Sequence, residues 1–318
     1  MIRFEQVSKK YPNGTFAVKS LDLEIKKGEF FVLIGPSGSG KTTTLKMINR
    51  LIDLSEGWVW INGKKISDYD INELRWNIGY VLQQIALFPH MTIAENIAVV
   101  PELKNWSKEK VAARVDELLK MVGLDPKEYR NRKPSELSGG QQQRVGVIRA
   151  LAADPEIILM DEPFSALDPF SREKLQDDML EIQRKLKKTI VFVTHDMQEA
   201  MKLGDRICLM KDGEIVQIGT PNEFLTNPSN DFVREFVGRR KLSINLNELI
   251  IPVPAGITIP SDTKTVSLST PVAEVLEQLS LFEQIAVEDN GKPIGIIRRQ
   301  HALKVMSHFL REGGQIHE

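Results

Sequence analysis

The segment Phe30-Phe-Val-Leu-Ile-Gly-Pro-Ser-Gly-Ser-Gly-Lys-Thr42 joins a continuous apolar run to a glycine-rich turn. An uninterrupted apolar run of this kind is typical of a strand that is buried on both faces. The residues that follow, from Lys41 to about Leu51, have a helical pattern. Gly35–Thr42 fits the pattern G-x-x-x-x-G-K-[ST], in which backbone N–H groups and a helix N-terminus face bound phosphates. The sequence therefore predicts a phosphate-binding loop between a buried strand and a helix.

The polar side chains of this loop have separate tasks in phosphate chemistry. The Lys41 ammonium supplies a positive charge to the β- and γ-phosphates of a nucleotide, and the Thr42 hydroxyl is a ligand for Mg²⁺. The glycines let the backbone curl so that several N–H groups face the phosphates. The residues of the loop that we predict to contact the nucleotide are Gly35, Pro36, Ser37, Gly38, Ser39, Gly40, Lys41, Thr42 and Thr43.

Acidic and imidazole side chains follow two further apolar runs. Asp161 and Glu162 come directly after Ile157–Met160, and His195 comes directly after Thr189–Thr194. Parallel sheets bind ligands at the carboxyl ends of their strands, so these side chains are candidates for the chemistry of the nucleotide. We expect Asp161 to hold the Mg²⁺ site from behind its direct ligands and Glu162 to activate the attacking water. We expect His195 to position the γ-phosphate or the water.

Strands and helices alternate along most of the chain, which is typical of α/β domains with a parallel sheet. Residues from about 87 to 153 are mostly helical, and we interpret them as a helical subdomain inserted into the α/β core. Near Gly238 the composition changes, and four prolines fall between Pro252 and Pro271. We therefore predict a domain boundary there, with residues 1–237 as the first domain.

The C-terminal residues have a pattern of their own, which predicts a small α+β region over residues 265–318. Proline is favoured at the first position of a helix, and Asp289-Asn-Gly-Lys292 has the turn chemistry of a β-hairpin. The predicted elements are a helix from Pro271 to about Leu281, strands Ile285–Glu288 and Pro293–Ile297, and a helix from His301 to about Arg311.

The bulk composition argues against several classes of function. Lys and Arg number 42 against 43 Asp and Glu, so the formal charge of −1 gives no support for nucleic-acid binding. The sequence has no apolar run long enough for a membrane span and no signal-peptide core, so we expect a cytoplasmic location. The single cysteine, Cys208, lies in an apolar run and is expected to be a buried thiol.

A second candidate anion site lies in Leu137-Ser-Gly-Gly-Gln141. Ser138 can cap a helix, and Gly139 and Gly140 expose backbone N–H groups at its start. The phosphate-binding loop already provides one anion site in the same chain. A second site in the helical subdomain indicates a nucleotide that is shared between two chains, and hence a homodimer.

Over residues 1 to about 237 the sequence resembles the ATP-binding subunit of ABC transporters, with the expected motifs present in order. The resemblance implies ATP and Mg²⁺ as cofactors. It implies a P-loop NTPase core of ABC type with an inserted helical subdomain and an antiparallel β subdomain. It also implies that Tyr11 stacks on adenine, and that Gln83 joins the Mg²⁺ and water site and senses the membrane subunits.

The same resemblance assigns roles at a dimer interface and at the histidine. Ser138, Gly139, Gly140 and Gln141 would contact the γ-phosphate that the opposite chain binds. Asp168, in Ser165-Ala-Leu-Asp168, would cross the dimer interface, and His195 would be the switch histidine.

Three segments more specifically resemble importers of quaternary-amine osmoprotectants such as glycine betaine, carnitine and choline. They are Lys46–Leu51, Leu82–Ile93 and Phe192–Met197. This resemblance implies an ATPase that powers import together with two integral-membrane permease subunits and an extracytoplasmic solute-binding protein. It places the chain peripherally on the cytoplasmic face of the membrane.

Residues 265–318 resemble one copy of a CBS motif, and residues 238–264 are either a linker or a degenerate first copy. In relatives such a module regulates transport in response to ionic strength, anionic lipid or cyclic di-AMP. An anionic regulator could therefore bind the basic side chains of this region, with a solvated basic face as the alternative. These side chains are Lys292, Arg298, Arg299 and Lys304.

Three other interpretations are open. The chain could drive an importer of another small solute, such as an amino acid or a sugar. It could be a soluble ABC-type ATPase that remodels ribosomes or DNA, although a single P-loop and the lack of a long heptad run fit those relatives poorly. It could be a regulatory ligand-binding module with a vestigial ATPase, against which the intact Lys41, Glu162 and His195 argue.

Overall fold

The computed structural model describes residues 1–84, 86–165, 167, 169–238, 246–252, 263–268, 270, 272–289 and 292–311. The chain divides into two compact units, Met1–Val237 and Gly238–Glu318. Each unit has its own hydrophobic core. Within the described ranges, no helix combines the length and the apolar character needed to cross a membrane.

The strands of the first unit belong to two sheets. In chain order they are β1 (Ile2–Lys10), β2 (Phe16–Ile25), β3 (Phe30–Ile34), β4 (Glu56–Ile61), β5 (Lys64–Lys65), β6 (Ile78–Val81), β7 (Ile157–Asp161), β8 (Thr189–Thr194), β9 (Arg206–Lys211) and β10 (Glu214–Gly219). The central sheet has the order β10-β9-β3-β8-β7-β6, and only β10 pairs antiparallel. The other sheet is antiparallel with the order β2-β1-β4-β5.

The helices of the first unit include a consecutive group with no strand between its members. In chain order they are α1 (Lys41–Ile48), α2 (Ile71–Trp76), α3 (Ile93–Leu103), α4 (Lys108–Met121), α5 (Pro126–Tyr129), α6 (Gly139–Leu151), α7 (Pro169–Leu186), α8 (Met197–Leu203), α9 (Pro221–Thr226) and α10 (Asp231–Gly238). The group α3–α6 lies in a fully described part of the chain that contains no strand. The α/β fold with an inserted helical segment confirms the predicted fold class.

Strand β3 carries the phosphate-binding loop and is buried on both faces. Phe30, Val32 and Ile34 pack into the core cluster on one face of the sheet, and Phe31 and Leu33 pack into the cluster on the other. This alternation follows from the two-residue period of a strand. The apolar run thereby fixes the position of the loop that follows it.

Two details differ from, or add to, the sequence prediction. Helix α1 ends at Ile48 and not near Leu51, because Arg50 adopts a φ of 53°, a left-handed conformation that a helix cannot continue. Cys208 on β9 has no exposed surface, and burial raises the pKa of its thiol to about 12. The thiol is therefore protonated at neutral pH and is a core group, as expected.

The second unit is a four-stranded sheet with helices. Its elements are α11 (Leu246–Leu249), β11 (Ile251–Pro252), β12 (Thr265–Ser267), α12 (Val272–Leu281), β13 (Gln284–Asp289), β14 (Lys292–Arg298) and α13 (Arg299–Arg311). The strand order is β11-β14-β13-β12, with β13 and β14 forming the predicted hairpin and β12 parallel to β13. Ile251 pairs with Ile296, so part of the segment 238–264 belongs to the sheet. The turn residues Asn290 and Gly291 lie outside the described residues.

Candidate nucleotide-binding site

The loop between β3 and α1 follows a path that only glycine permits at two positions. Gly40 has a φ of 100°, and a Cβ atom there would lie 2.3 Å from the carbonyl oxygen of Ala17. A Cβ atom on Gly35 would lie 2.1 Å from the carbonyl oxygen of Met210. Both distances are far below van der Waals contact with backbone atoms that cannot move aside. The glycines therefore allow the loop to pack closely against β2 and β9.

Lys41 lies across this loop and is almost fully buried, with 6% of its surface exposed. Its Nζ donates to the carbonyl oxygens of Gly35 at 2.8 Å and Pro36 at 2.9 Å. Burial lowers the pKa of the ammonium group, while the negative charges of Glu162 and Asp161 act in the opposite direction. The loop carbonyls thus hold a cation in place, ready to meet the phosphates that would compensate its burial.

Thr42 and Asp161 meet at the carboxyl end of β7. The Thr42 hydroxyl donates to Asp161 Oδ1 at 2.8 Å, and Lys46 Nζ lies 3.9 Å from Asp161 Oδ2. Asp161 is 5% exposed. Burial of the nearby Tyr80 hydroxyl raises its pKa, and the negative charge of Asp161 raises it further. Asp161 therefore stands behind Thr42 and orients its hydroxyl, the arrangement expected for a carboxylate that acts on a metal through a direct ligand.

Glu162 stands at the centre of a second group of side chains. Its Oε2 lies 3.1 Å from His195 Nδ1 and 3.4 Å from Gln83 Nε2. The three residues come from the ends of β7, β8 and β6, and the parallel pairing of these strands brings them to one edge. The Glu162 backbone has a φ of 46°, an uncommon conformation for a non-glycine residue and one that is often found at functional sites.

These groups surround one cavity of about 590 Å³, a size suited to a nucleotide. Tyr11 lies at its rim with 37% of its surface exposed, and Lys9 Nζ is 5.4 Å from the centre of the Tyr11 ring. The described residues that line the cavity are Tyr11, Ala17, Ser37, Gly38, Gly40, Lys41, Thr42, Thr43, Gln83, Glu162 and His195.

The predicted second anion site lies elsewhere on the unit. Ser138 caps α6, since its Oγ accepts from the Gln141 N–H at 3.3 Å and its own N–H donates to Gln141 Oε1 at 2.9 Å. Gln141 Nε2 donates to the Tyr129 hydroxyl at 3.1 Å, so its side chain is engaged within its own chain. Gly139 and Gly140 form the first turn of α6. None of these described residues lines the cavity.

The remaining predicted residues are placed less directly. Gly35, Pro36 and Ser39 form the inner side of the loop, where two of them supply carbonyl groups to Lys41. Asp168, predicted to cross a dimer interface, lies outside the described residues.

Sequence reasoning missed two residues of the site. Lys46 follows Thr42 by four positions in α1, so helical spacing alone could have placed it on the face of the helix that meets Asp161. Ala17 lines the cavity from β2. It carries no chemical signal in the sequence, because it acts through its backbone position.

Comparison with known proteins identifies the family. The sequence profile described as ABC transporter matches residues 18–165. The osmoprotectant import ATP-binding protein of Salmonella typhimurium is 47% identical over 309 residues, which cover 95% of this chain and 80% of that protein. The chain belongs to the ATP-binding proteins of ABC transporters.

Other relatives place this ABC protein in the same branch. The glycine betaine/carnitine/choline transport ATP-binding protein of Bacillus subtilis is 61% identical over 242 residues, which cover 76% of this chain. The match spans only 63% of the length of that relative. An ATP-binding cassette solved as a dimer in a post-hydrolysis state with ADP and Pi is 41% identical, with a TM-score of 0.63 over 70% of this chain and 99% of that chain. Membership of this family implies that the nucleotide of the phosphate-binding loop is ATP.

Proposed function

We propose that this ABC protein is the ATP-hydrolysing subunit of an importer of quaternary-amine osmoprotectants such as glycine betaine, carnitine and choline. The single observation that carries the hydrolytic part is the convergence of Glu162, Gln83 and His195 at the mouth of the cavity that Lys41 and Thr42 line. The solute class comes from relatives that are named for glycine betaine, carnitine or choline transport at 61% and 58% identity.

The phosphates of ATP would lie in the loop between β3 and α1. Lys41 would meet the β- and γ-phosphates, and the start of α1 adds backbone N–H groups and the positive end of the helix dipole. Tyr11 at the rim would stack on the adenine. Each of these contacts neutralises or orients the triphosphate, which is the main requirement for phosphoryl transfer.

The oxygen donors at the site fit Mg²⁺. No group of three or more His, Cys, Asp and Glu among the described residues could hold a metal, so phosphate oxygens would complete the ligand set. The Thr42 hydroxyl and the Gln83 side-chain oxygen would be the protein ligands, with Asp161 accepting from Thr42 behind them. An ion held there supplies charge neutralisation at the β- and γ-phosphates.

Glu162 would act as the general base. Its carboxylate lies at the cavity, where it can accept a proton from a water aligned with the γ-phosphate. His195 Nδ1 lies 3.1 Å from Glu162 Oε2, so the imidazole would help to direct the carboxylate and would lie beside the reacting water. Gln83 links this group to the segment that follows β6 and would report the state of the site to the membrane subunits.

The active form would be a homodimer in which two ATP molecules lie between the copies. The N-terminus of α6, with Ser138–Gly140, would meet the γ-phosphate bound by the second copy, and Asp168 would lie at the same interface. A related cassette was solved as a dimer, which supports this assembly. The dimer would work with two permease subunits and an extracytoplasmic binding protein on the cytoplasmic face of the membrane.

The second unit would bind an anionic regulator, either a lipid headgroup or a cyclic dinucleotide. It contains a cavity of about 780 Å³ whose described lining has three cationic residues and one acidic residue, together with Phe282: the charged residues are Lys264, Arg298, Arg299 and Glu283. The guanidinium of Arg299 also donates to the carbonyl oxygen of Leu279 at 2.6 Å, which fixes its direction. Lys304 does not belong to the described lining, and the Lys292 side chain lies outside the described residues.

The substitution Glu162→Gln tests the hydrolytic proposal. It keeps the shape of the side chain and removes the base, so we expect ATP binding to persist while the hydrolysis rate falls by about 100-fold or more. The ATP-bound dimer should then accumulate, as measured by size-exclusion chromatography with ATP and Mg²⁺. The matched control is Glu173→Gln, which changes an exposed carboxylate on α7 and should leave the rate unchanged. A normal hydrolysis rate in Glu162→Gln would show that Glu162 is not the base.

The solute class needs a transport measurement. The chain, assembled with its two permeases and binding protein in proteoliposomes, should drive ATP-dependent uptake of glycine betaine, carnitine or choline. Uptake of an amino acid or a sugar in their place would favour the importer of another small solute. Hydrolysis without any association with permeases would favour the soluble ATPase.

A further inference from the structure

Helix α6 carries two side chains that reach the loops around the nucleotide cavity of its own chain. Gln143 is 2% exposed, and its Nε2 donates to the carbonyl oxygen of Pro163 at 2.5 Å. Arg149 Nη1 donates to the carbonyl oxygen of Ala86 at 2.6 Å. The N-terminus of the same helix is the capped turn that begins with Ser138. One helix thus connects the second anion site to two segments of the first.

The contact of Gln143 fixes the turn that carries Glu162. Pro163 follows Glu162 directly, and Glu162 has a φ of 46°, a conformation that is disfavoured for a residue before proline. On the other side of this turn, the Glu162 N–H donates to the Val193 carbonyl oxygen at 3.0 Å. The strained turn is therefore held from β8 on one side and from α6 on the other. Loss of one of these contacts would let the turn relax, and the Glu162 carboxylate would then move.

Arg149 anchors Ala86, which lies close to Gln83 along the chain. Ala86 lies three residues beyond Gln83, whose amide group is 3.4 Å from Glu162. In the part of the chain that the structure describes, Arg149 makes no ion pair within 4.0 Å, so a backbone carbonyl provides its polar anchor. Arg149 is half-buried, and this burial lowers the pKa of its guanidinium.

The two contacts leave α6 little freedom to turn. Gln143 and Arg149 are six residues apart, so they leave the helix about 240° apart around its axis. A rotation of α6 about its axis would move both side chains away from their hydrogen-bond acceptors. A displacement of α6 would therefore move the two donors that hold Pro163 and Ala86.

We propose that Gln143 and Arg149 are positioning residues, which transmit the contact of α6 with the nucleotide of the second copy to Glu162 and Gln83 of their own chain. Contact of Ser138–Gly140 with the nucleotide of the second copy sets the position of α6, and the two hydrogen bonds then set Glu162 and Gln83 in the first copy. Each site becomes competent for hydrolysis when the opposite nucleotide is in place. This inference rests on the proposed function, because it needs the shared ATP sites of a homodimer.

The test uses Gln143→Met in the full chain. Methionine keeps the length and the unbranched shape of the side chain but has no N–H donor. The Pro163 carbonyl oxygen then stays buried without the hydrogen bond from residue 143. We expect kcat to fall about tenfold, with KM for ATP changed by less than about twofold, because the contact acts on the catalytic turn and not on the phosphate loop. The Hill coefficient for ATP should fall towards 1, a change that simple loss of stability does not produce. Arg149→Met should act in the same direction.

The matched control is Arg114→Met on α4. Arg114 donates to the carbonyl oxygens of Leu151 and Ala152 at 3.1 and 3.4 Å, at the end of α6 opposite to the one that Ser138 caps. Arg114→Met removes these hydrogen bonds to α6 and leaves the contacts with Pro163 and Ala86 unchanged. We therefore expect kcat and the Hill coefficient to stay at their wild-type values. Thermal unfolding of all three variants records any loss of stability.

Two results would overturn this inference alone. One is an active wild-type chain whose kcat and Hill coefficient are unchanged in both Gln143→Met and Arg149→Met. The other is an equal fall of kcat in Arg114→Met, which would assign the effect to helix stability. Should Gln143→Met not fold, Gln143→Asn keeps the amide and shortens its reach, and an unchanged rate in that variant also overturns the inference. A wild-type chain without ATP hydrolysis would remove the proposed function and this inference together.

Discussion

At the scale of single residues, each reactive side chain of the nucleotide site is held by a neighbour that fixes its direction. Thr42 donates to Asp161, Lys41 donates to the carbonyl oxygens of its own loop, and Glu162 lies beside His195. Such contacts limit the reorganisation that is needed when substrate binds, which is the main source of electrostatic catalysis. The function of each residue therefore depends on its partner as well as on its own chemistry.

The pair of Thr42 and Asp161 gives a prediction about metal dependence. Thr42→Val removes the hydroxyl at nearly constant shape, so the Mg²⁺ concentration for half-maximal hydrolysis should rise by about tenfold or more. Thr42→Ser keeps the hydroxyl and should stay close to wild type. Hydrolysis measured against Mg²⁺ at saturating ATP checks both. An unchanged Mg²⁺ dependence in Thr42→Val would contradict the role of Thr42 as a metal ligand.

The sequence predicts some of these residues and misses others for a physical reason. The phosphate-binding loop is contiguous, so the spacing of Gly35, Gly40 and Lys41 is enough to locate it. Glu162 and His195 follow apolar strands, and the carboxyl ends of parallel strands lie at the same edge of a sheet. The contact between Gln143 and Pro163 spans 20 residues. It depends on how α6 packs against the sheet, and local sequence patterns contain no information about such packing.

At the scale of elements, α3, α6 and α9 share one way of starting. Each begins with a Ser or Thr that accepts from the third N–H of the helix, while the side chain at that third position accepts from the capping residue in return. In α6 the pair is Ser138 and Gln141, so a residue predicted to contact the nucleotide also builds the helix start. Sequence motifs of this kind carry structural and functional demands in the same few residues.

The cap of α3 gives a prediction about pH. The Thr92 N–H and then its hydroxyl lower the pKa of Glu95 below its ordinary value of 4.5. A carboxyl whose pKa is lower in the folded state stabilises the fold above its ordinary pKa, and that stabilisation is lost as the pH falls through the lowered value. Wild type should therefore be more stable than Glu95→Gln at neutral pH, and the difference should shrink as the pH falls below about 4.

Thermal unfolding of both proteins across this pH range measures the difference, and NMR titration of Glu95 gives its pKa directly. Thr92→Ala removes the hydroxyl and leaves the N–H, so it should move the Glu95 pKa only part of the way back. A stability difference between wild type and Glu95→Gln that is constant with pH would contradict this account of the cap.

At the scale of the whole molecule, the two units carry different chemistry. The first unit contains the cavity lined by Lys41, Thr42 and Glu162, and the second contains the cavity lined by Arg298 and Lys264. Each has its own core, so we expect each unit to fold without the apolar residues of the other. The composition change near Gly238 indicated this division. The sheet pairing of Ile251 was not predicted, because the prolines around it masked the strand pattern.

This division predicts that a chain ending at Gly238 unfolds in one cooperative transition and hydrolyses ATP with kcat and KM within about twofold of the full chain.

The truncated chain should not respond to anionic ligands. Hydrolysis or transport by the full chain, assembled with its permeases, should change when such ligands are added. Vesicles containing phosphatidylserine, neutral vesicles and cyclic di-AMP are tested separately, so that a lipid headgroup is distinguished from a nucleotide. Arg298→Ala in the full chain should weaken the response and leave basal hydrolysis intact. A truncated chain that keeps the response would place the regulatory site in the first unit, and an Arg298→Ala chain with a normal response would exclude the cavity lined by Arg298.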